Sequence, residues 1–227
     1  MNSEEHYRQH GWAIVRDVLR VHDLEYLKEF TLEVKNRVLA NPELGENTKK
    51  NGSGVWWRGL DMASKSPLNS PEENKRLFSM YTSSFMYDIA SKHLDTDEIY
   101  LLNDQIVVKM PGEEFVFKAH RDNNLFESGE KVSMPYRSIN ALLILDDFTD
   151  DNGALEVQSR NSSEWVTVYP KEGDAVLLDG DTLHRSGKNE SRKPRRAYAC
   201  VYVTAPVGKD FRKGWWHERF KPEGEAQ

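Results

Sequence analysis

The sequence predicts a mainly β chain with flanking helices, folded as a double-stranded β-helix, or jelly roll. Three observations carry that expectation. Short apolar segments bounded by turn residues recur from Ile99 to Thr204, helical periodicity is confined to the part before them, and no repeat, low-complexity tract or long linker divides the two. At 227 residues the chain stays within the size at which sandwiches and barrels form one unit. The expected organisation is therefore a single domain over 1–227: a mostly helical lead-in over 1–95, the β-helix core over 96–207 and a C-terminal segment over 208–227.

Taken in order, Asp23 to Leu39 places Leu24, Leu27, Val34 and Val38 on a helical stripe, with Asp23 in position to cap its start. Asn41 to Gly54 is polar and rich in turn formers, including Asn51 and Gly52, which reads as an exposed loop. Ser70 followed by Pro71 marks the start of a second helix, continuing through Leu77, Tyr81 and Ile89 towards Leu94. The best strands are Ile99 to Met110, Phe115 to Ala119, Ile139 to Leu145, Ala154 to Val157, Trp165 to Val168, Ala175 to Leu178 and Ala197 to Thr204. Helices packed outside one sheet of a jelly roll is the economical way to bury such a set.

Charge narrows the partners. With 31 basic and 37 acidic residues the net charge is −6, which argues against a general binder of nucleic acid or of anionic membranes. The first residues lack a basic start and apolar run, and no stretch reaches membrane-spanning length, so a soluble, cytoplasmic protein is expected. The single cysteine, Cys200, lies in an apolar strand and reads as a buried structural thiol in a reducing compartment.

The chemistry centres on His120, Asp122 and His184. In an extended strand, residues two apart share a face, so His120 and Asp122 are expected to grip one metal while Arg121 points away. The third ligand must come from a strand that returns to the same place. His184 follows 64 positions after His120, about the length several antiparallel strands and their turns require. Two imidazoles and one carboxylate can take one face of an octahedral iron and leave the other face open. Between positions 185 and 196 six positive side chains face Glu190 alone; Lys188, Arg192 and Lys193 read as a solvated turn. An arginine fork suits a carboxylate, and strand alternation turns one of Arg195 and Arg196 inwards without selecting which. Gln105 and Lys109 share one strand face, directed either at the pocket or at solvent, and count as further candidate contacts to a cosubstrate.

The motifs in combination are more specific than any alone. Lys109-Met110-Pro111-Gly112, His120-Arg121-Asp122, Asp151-Asn152-Gly153-Ala154-Leu155, Gly173-Asp174-Ala175-Val176 and His184 to Ser191 with Pro194-Arg195-Arg196 resemble the phytanoyl-CoA dioxygenase family of iron(II)- and 2-oxoglutarate-dependent oxygenases. The stretch Glu5 to Leu19 is similar to that family's opening helix and first strand, so the resemblance covers most of the chain. It implies a cupin-like jelly roll, Fe(II) held by His120, Asp122 and His184, and 2-oxoglutarate and dioxygen as cosubstrates, with ascorbate as reductant in vitro. It places the distal carboxylate of 2-oxoglutarate on Arg195, eleven residues after His184, and a hydroxyl contact on Ser186. It further implies hydroxylation of an unactivated C–H bond with release of succinate and CO2. Related halogenases replace the acidic ligand with a small residue, whereas Asp122 fills the position here. Desaturation, cyclisation or epoxidation of a natural-product intermediate would use the same cofactors. One departure stands out: after Leu155 the chain reads Glu156-Val157-Gln158-Ser159, without the Pro-Gly-Ser-His found in many relatives, which bears on the loop and the substrate more than on the ligands.

Aromatic residues at Trp56, Trp57, Trp215 and Trp216, beside Arg58 and His217, offer surfaces for closing over a small organic molecule or for packing. Competing classes are a noncatalytic jelly roll, a zinc hydrolase, which has no need of Arg195, and a histidine-rich cofactor-independent oxygenase. The last lacks its ligands, since histidines 6, 10, 22, 93 and 217 have no matching strand context.

Overall fold

A computed structural model of the chain describes residues 2–40, 48–51, 54–57, 63, 66–124, 136–206 and 219–220. Two antiparallel sheets face one another. The larger runs in the order β1 (Trp12–Val15), β9 (Ala175–Asp179), β6 (Ser138–Ile144), β11 (Arg195–Val203), β4 (Ile99–Lys109), β3 (Gly54–Trp57) and β2 (Thr48–Asn51), with β12 (Arg219–Phe220) also on β4. The smaller runs β5 (Phe117–His120), β10 (His184–Ser186), β7 (Leu155–Gln158) and β8 (Trp165–Val168). This is the expected cupin-like jelly roll. The helices α1 (Ser3–His10), α2 (Val21–Ala40), α3 (Pro71–Tyr81) and α4 (Ser84–Leu94) precede β4, and α1, α2 and α4 contact the larger sheet.

The larger sheet is buried on both faces, which explains the unbroken apolar runs of its central strands. Ile139, Ala141 and Leu143 of β6, Ala175 and Leu177 of β9, and Tyr198, Cys200 and Tyr202 of β11 pack towards Leu27, Phe30, Leu77 and Ile89 of the helices. The alternate residues Leu142, Ile144, Val176, Leu178, Ala197 and Ala199 pack between the sheets with Leu155, Val157 and Val168. Cys200 is a buried free thiol, as expected, and burial pushes its pKa well up. Val201 pairs with Asn103 and Tyr202 with Leu101, so a bulge at Leu102 resets β4. Below that bulge Asn103, Gln105, Val107 and Lys109 share the inner face.

Several expectations need correction. The segment read as a loop over Asn41 to Gly54 contains β2 and the first residue of β3, because β3 finds the open edge of β4 in the register Val55 with Val108 and β2 pairs with β3. Residues 41–47 lie outside the described part. The single helix from Ser70 to Leu94 is two helices: Ser70 and Glu73 form a reciprocal capping box before Pro71, and Ser83 caps a fresh start by accepting from Met86 N. Asp23 sits in the first turn of α2 and is not its cap, since the helix begins at Val21. Strands β4 to β9 and β11 fall within a few residues of their expected ends. Arg58, Trp215, Trp216 and His217 lie outside the described residues, as do the side chains of Trp56 and Trp57. No helix among the described residues is long and apolar enough to cross a membrane.

Gly153 shows how tightly the turns are set. Its φ of +72° is in the left-handed region, and a Cβ there would meet the backbone oxygens of Gly187 and, at 2.8 Å, Lys188. Gly153→Ala should therefore lower stability by about 1–3 kcal/mol through strain and overpacking. Denaturant unfolding checks this, and a variant as stable as its parent would show the turn to have slack.

Candidate metal centre

β10 is central in the smaller sheet, between β5 and β7, and its register seats His184 opposite His120. The two imidazoles therefore lie side by side, ring centroids 4.2 Å apart. Each is oriented from behind: His120 Nδ1 donates to Lys118 O at 2.7 Å and His184 Nδ1 to Thr182 O at 2.9 Å. A carbonyl oxygen only accepts, so Nδ1 of each ring carries a proton and Nε2 is the atom left to face a metal. Asp122 Oδ1 lies 3.6 Å from His120 Nε2 and 3.7 Å from His184 Nε2. One ligand atom from each of the three residues falls within 4.8 Å of the others. Burial, and then the neighbouring His184, lower the pKa of His120, which favours the neutral imidazole that metals bind.

Strand alternation is not what brings Asp122 to His120. β5 ends at His120, and the chain turns into a short 3-10 segment, Asp122–Asn124. That turn is braced against the β9–β10 connection: Asn123 N donates to Gly180 O at 3.0 Å, and Asn123 Nδ2 donates to Asp181 Oδ1 at 3.0 Å. Arg121 turns away from the ligands, as expected, and donates to Asp181 O. Ser138 Oγ donates to Asn123 Oδ1 at 2.8 Å. Gly180 permits the approach, because a Cβ there would stand 2.5 Å from Asn123 Oδ1.

The three residues open onto a cleft of about 920 Å³, including its mouth, between the two sheets. Gln105, Ser186 and Arg195 also line it. Lys109 reaches the same region from β4, fully buried, with Nζ donating to Ser186 Oγ at 2.8 Å and to Gly187 O. Its alternative orientation towards solvent is thereby ruled out. Gln105 Nε2 donates to Asn103 Oδ1 at 3.1 Å.

The adjacent arginines part company. Arg196 forms a two-pronged pair with Asp146, at 2.7 and 2.6 Å, and donates to Lys28 O on the helix side. Arg195 faces inwards, 2% exposed, its guanidinium 4.0 Å above the Phe148 ring and its Nε buried without a partner among the described residues. Burial pulls Arg195 down to about 9, which still leaves it charged at neutral pH. Of the remaining cations, Arg185 is paired with Glu156, Lys188 with Glu114 and Glu190, and Arg192 and Lys193 are exposed.

Sequence reasoning passed over Asn123, Ser138 and Asn140, all of which line the cleft. The available signal was Asn140, a lone amide inside the apolar run of β6.

Comparison with known proteins agrees with this geometry. The profile of the family described as Phytanoyl-CoA dioxygenase (PhyH) matches residues 7–159 and 156–197. A phytanoyl-CoA dioxygenase domain-containing protein 1 homolog of Dictyostelium discoideum is 33% identical over 67 residues, 30% of this chain and 24% of that protein. The chain thus spans about a quarter of that curated relative. The dioxygenase cdmD of Talaromyces verruculosus is 23% identical over 223 residues, covering 84% of this chain and 69% of its own length. Among solved structures, the epimerase SnoN in complex with Fe3+, alpha ketoglutarate and nogalamycin RO aligns at a TM-score of 0.64 with 20% identity, covering 90% of this chain and 83% of that one. The non-heme alpha ketoglutarate dependent carbocyclase SnoK from nogalamycin biosynthesis aligns at 0.64 with 17% identity and the same coverage. At these identities the structural likeness establishes a common fold, while the profile spans most of the sequence and both halves of the His120, Asp122 and His184 constellation: the chain belongs to the phytanoyl-CoA dioxygenase family.

Proposed function

We propose that this chain is an iron(II)- and 2-oxoglutarate-dependent dioxygenase that hydroxylates an unactivated C–H bond of a small-molecule metabolite. The observation that carries the reading is the convergence of two imidazoles and one carboxylate beside a buried arginine whose Nε lacks a partner among the described residues. The donor set fits the metal, since two histidines and one carboxylate are the facial set of non-haem iron(II) oxygenases. The iron- and alpha-ketoglutarate-containing SnoN structure supports the same assignment. When bound, iron and 2-oxoglutarate supply an oxidant from dioxygen as the cosubstrate becomes succinate and CO2.

The protein's own contribution is to bind, orient and shield. His120 Nε2, His184 Nε2 and Asp122 Oδ1 hold the metal on one side and leave the cleft side free. Arg195 receives the distal carboxylate of 2-oxoglutarate, with Ser186 and Lys109 beside it and Gln105 on the adjoining wall. Among the described residues no carboxylate pairs with Arg195 or Lys109, so a buried guanidinium stands beside an amine that an incoming carboxylate would favour in its charged form. A zinc hydrolase has no use for that arrangement. Apolar Leu142, Leu155 and Ala199 keep water from the cosubstrate.

A second reading has a specific observation in its favour: two proteins of the same fold carry the names epimerase and carbocyclase. With the same cofactors, stereochemical inversion, ring closure, desaturation or epoxidation would follow from a different placement of the substrate. Screening metabolites for 2-oxoglutarate-dependent succinate release, with mass detection of products, separates these outcomes. Gain of one oxygen supports hydroxylation or epoxidation, loss of two hydrogens supports ring closure or desaturation, and unchanged mass supports inversion.

Asp122→Ala should abolish substrate oxidation by roughly 100-fold or more, beyond the loss expected for an outer hydrogen bond to a ligand. Succinate production at the parent rate would contradict the assignment. Arg195→Ala should raise the half-saturating 2-oxoglutarate concentration roughly 10- to 100-fold, as for a lost charge-assisted bond. Arg196→Ala should leave that concentration alone and lower the unfolding midpoint through Asp146. The reverse pattern would transfer the anchoring role to Arg196.

Lys109 gives a pH dependence. Three oxygens within its reach favour the ammonium, but burial and then the neighbouring Arg195 oppose it, and its pKa falls to about 6. A carboxylate placed beside Nζ favours the charged form and raises that pKa in the complex. Above pH 6, binding of 2-oxoglutarate should therefore take up a proton, and affinity should fall as pH rises, by up to about tenfold per unit. Below pH 6 Lys109 is already charged and the dependence should level off. Calorimetry in buffers of different ionisation heat measures the uptake, and a pH-independent affinity would contradict it.

A further inference from the structure

β6 crosses the centre of the larger sheet, paired with β9 on one side and β11 on the other. Its Ser138, Asn140 and Leu142 line the cleft, while Ile139, Ala141 and Leu143 face the helices. An amide in such a strand is costly unless bonded, because it leaves water for a largely apolar interior. The Asn140 side chain makes one bond among the described residues: Nδ2 donates to Asp122 Oδ2 at 3.1 Å. Since a carboxylate only accepts, this bond also fixes which end of the amide faces Asp122. The other end, Oδ1, is buried with no hydrogen-bond partner among the described residues. An asparagine kept for packing or sheet structure would be expected to have both ends satisfied. Asn140 instead has its single bond on a candidate metal ligand.

The two oxygens of Asp122 thus have separate partners. Oδ1 faces the Nε2 atoms of both histidines, and Oδ2 is held by Asn140. The turn carrying Asp122 is independently anchored through Asn123 to Gly180, Asp181 and Ser138. What remains to be fixed is rotation of the carboxylate itself, and the Asn140 amide is the group placed to fix it.

We propose that Asn140 is a positioning residue that commits Asp122 to donation through one oxygen and so keeps one coordination position of the metal free. The inference rests on the reading of His120, Asp122 and His184 as iron ligands. Six positions shared with three protein donors leave three, of which 2-oxoglutarate takes two. A carboxylate giving both oxygens would remove the last, so that cosubstrate still binds but a diatomic ligand does not.

The test uses the full chain loaded anaerobically with iron(II) and saturating 2-oxoglutarate, then titrated with nitric oxide as the diatomic probe and read by electron paramagnetic resonance. Asn140→Leu keeps a branched side chain of similar length and Asn140→Ala removes the amide altogether, and neither has a group that can donate to Asp122. Each should bind nitric oxide roughly 10- to 100-fold more weakly than the parent, the range for losing an outer hydrogen bond to a metal ligand. Each should bind 2-oxoglutarate with near-parent affinity. That split distinguishes repositioning of Asp122 from general damage to the fold, which would weaken both. Parent-like nitric oxide affinity in either folded variant, or parallel loss of both ligands, overturns the proposal while leaving the iron assignment intact. A parent chain that retains no iron(II) overturns the ligand assignment and this inference with it.

Discussion

The antiparallel register that seats His184 opposite His120 is the constraint on which the rest of the cleft depends. Pairing of β10 with β5 places two imidazoles at contact, and pairing of β10 with β7 holds that strand from its other side. A slip of one residue would send His184 to the opposite face of the sheet and bring Arg185 inwards. The same strand carries Ser186, so the register also fixes the hydroxyl that Lys109 meets. One short strand of three residues therefore places the His184 imidazole and the hydroxyl beside Lys109 together.

The charges follow the layering of the fold. The large sheet has helices on one face and the small sheet on the other, so adjacent residues of β11 enter different surroundings. Arg196 turns to the helix side and meets Asp146; Arg195 turns inwards, where apolar side chains and Phe148 surround it. Lys109 arrives on the same inner face from β4, opposite Arg195 in the ladder. Charging both side chains in a low-dielectric space is costly without a neighbouring carboxylate. The depressed pKa values of both groups express that cost.

Support for the ligands extends outward in shells of different chemistry. Backbone oxygens of Lys118 and Thr182 orient the imidazoles, an amide holds the free oxygen of Asp122, and the Asn123 side chain ties the intervening turn to the β9–β10 connection. Such outer contacts fix the direction of each donor atom before a metal arrives. They come from three separate stretches of sequence, and the sheets bring them within hydrogen-bond distance.

By itself the sequence located most of the elements and the candidate ligands. Apolar runs bounded by turns located β4, β6, β9 and β11, the Ser70-Pro71 signal located a helix start, and the motifs around His120, Asp122 and His184 pointed to the family. These features were legible because they depend on local patterning and on residue types whose chemistry is narrow. Tertiary structure decided the rest. Strand β2 exists through β3, which in turn rests on the edge of β4, and no local pattern in its polar segment announces it. The break at Ser83 arises where one continuous helical pattern packs as two helices. Asp122 reaches His120 by a 3-10 turn braced through Asn123, where alternation alone implied a strand. Arg195 is distinguished from Arg196 by the Asp146 carboxylate fifty residues away in the chain, and Asn140 gains its meaning from Asp122 across the cleft. In each case the deciding partner is distant in sequence, and only closure of the two sheets brings it into contact.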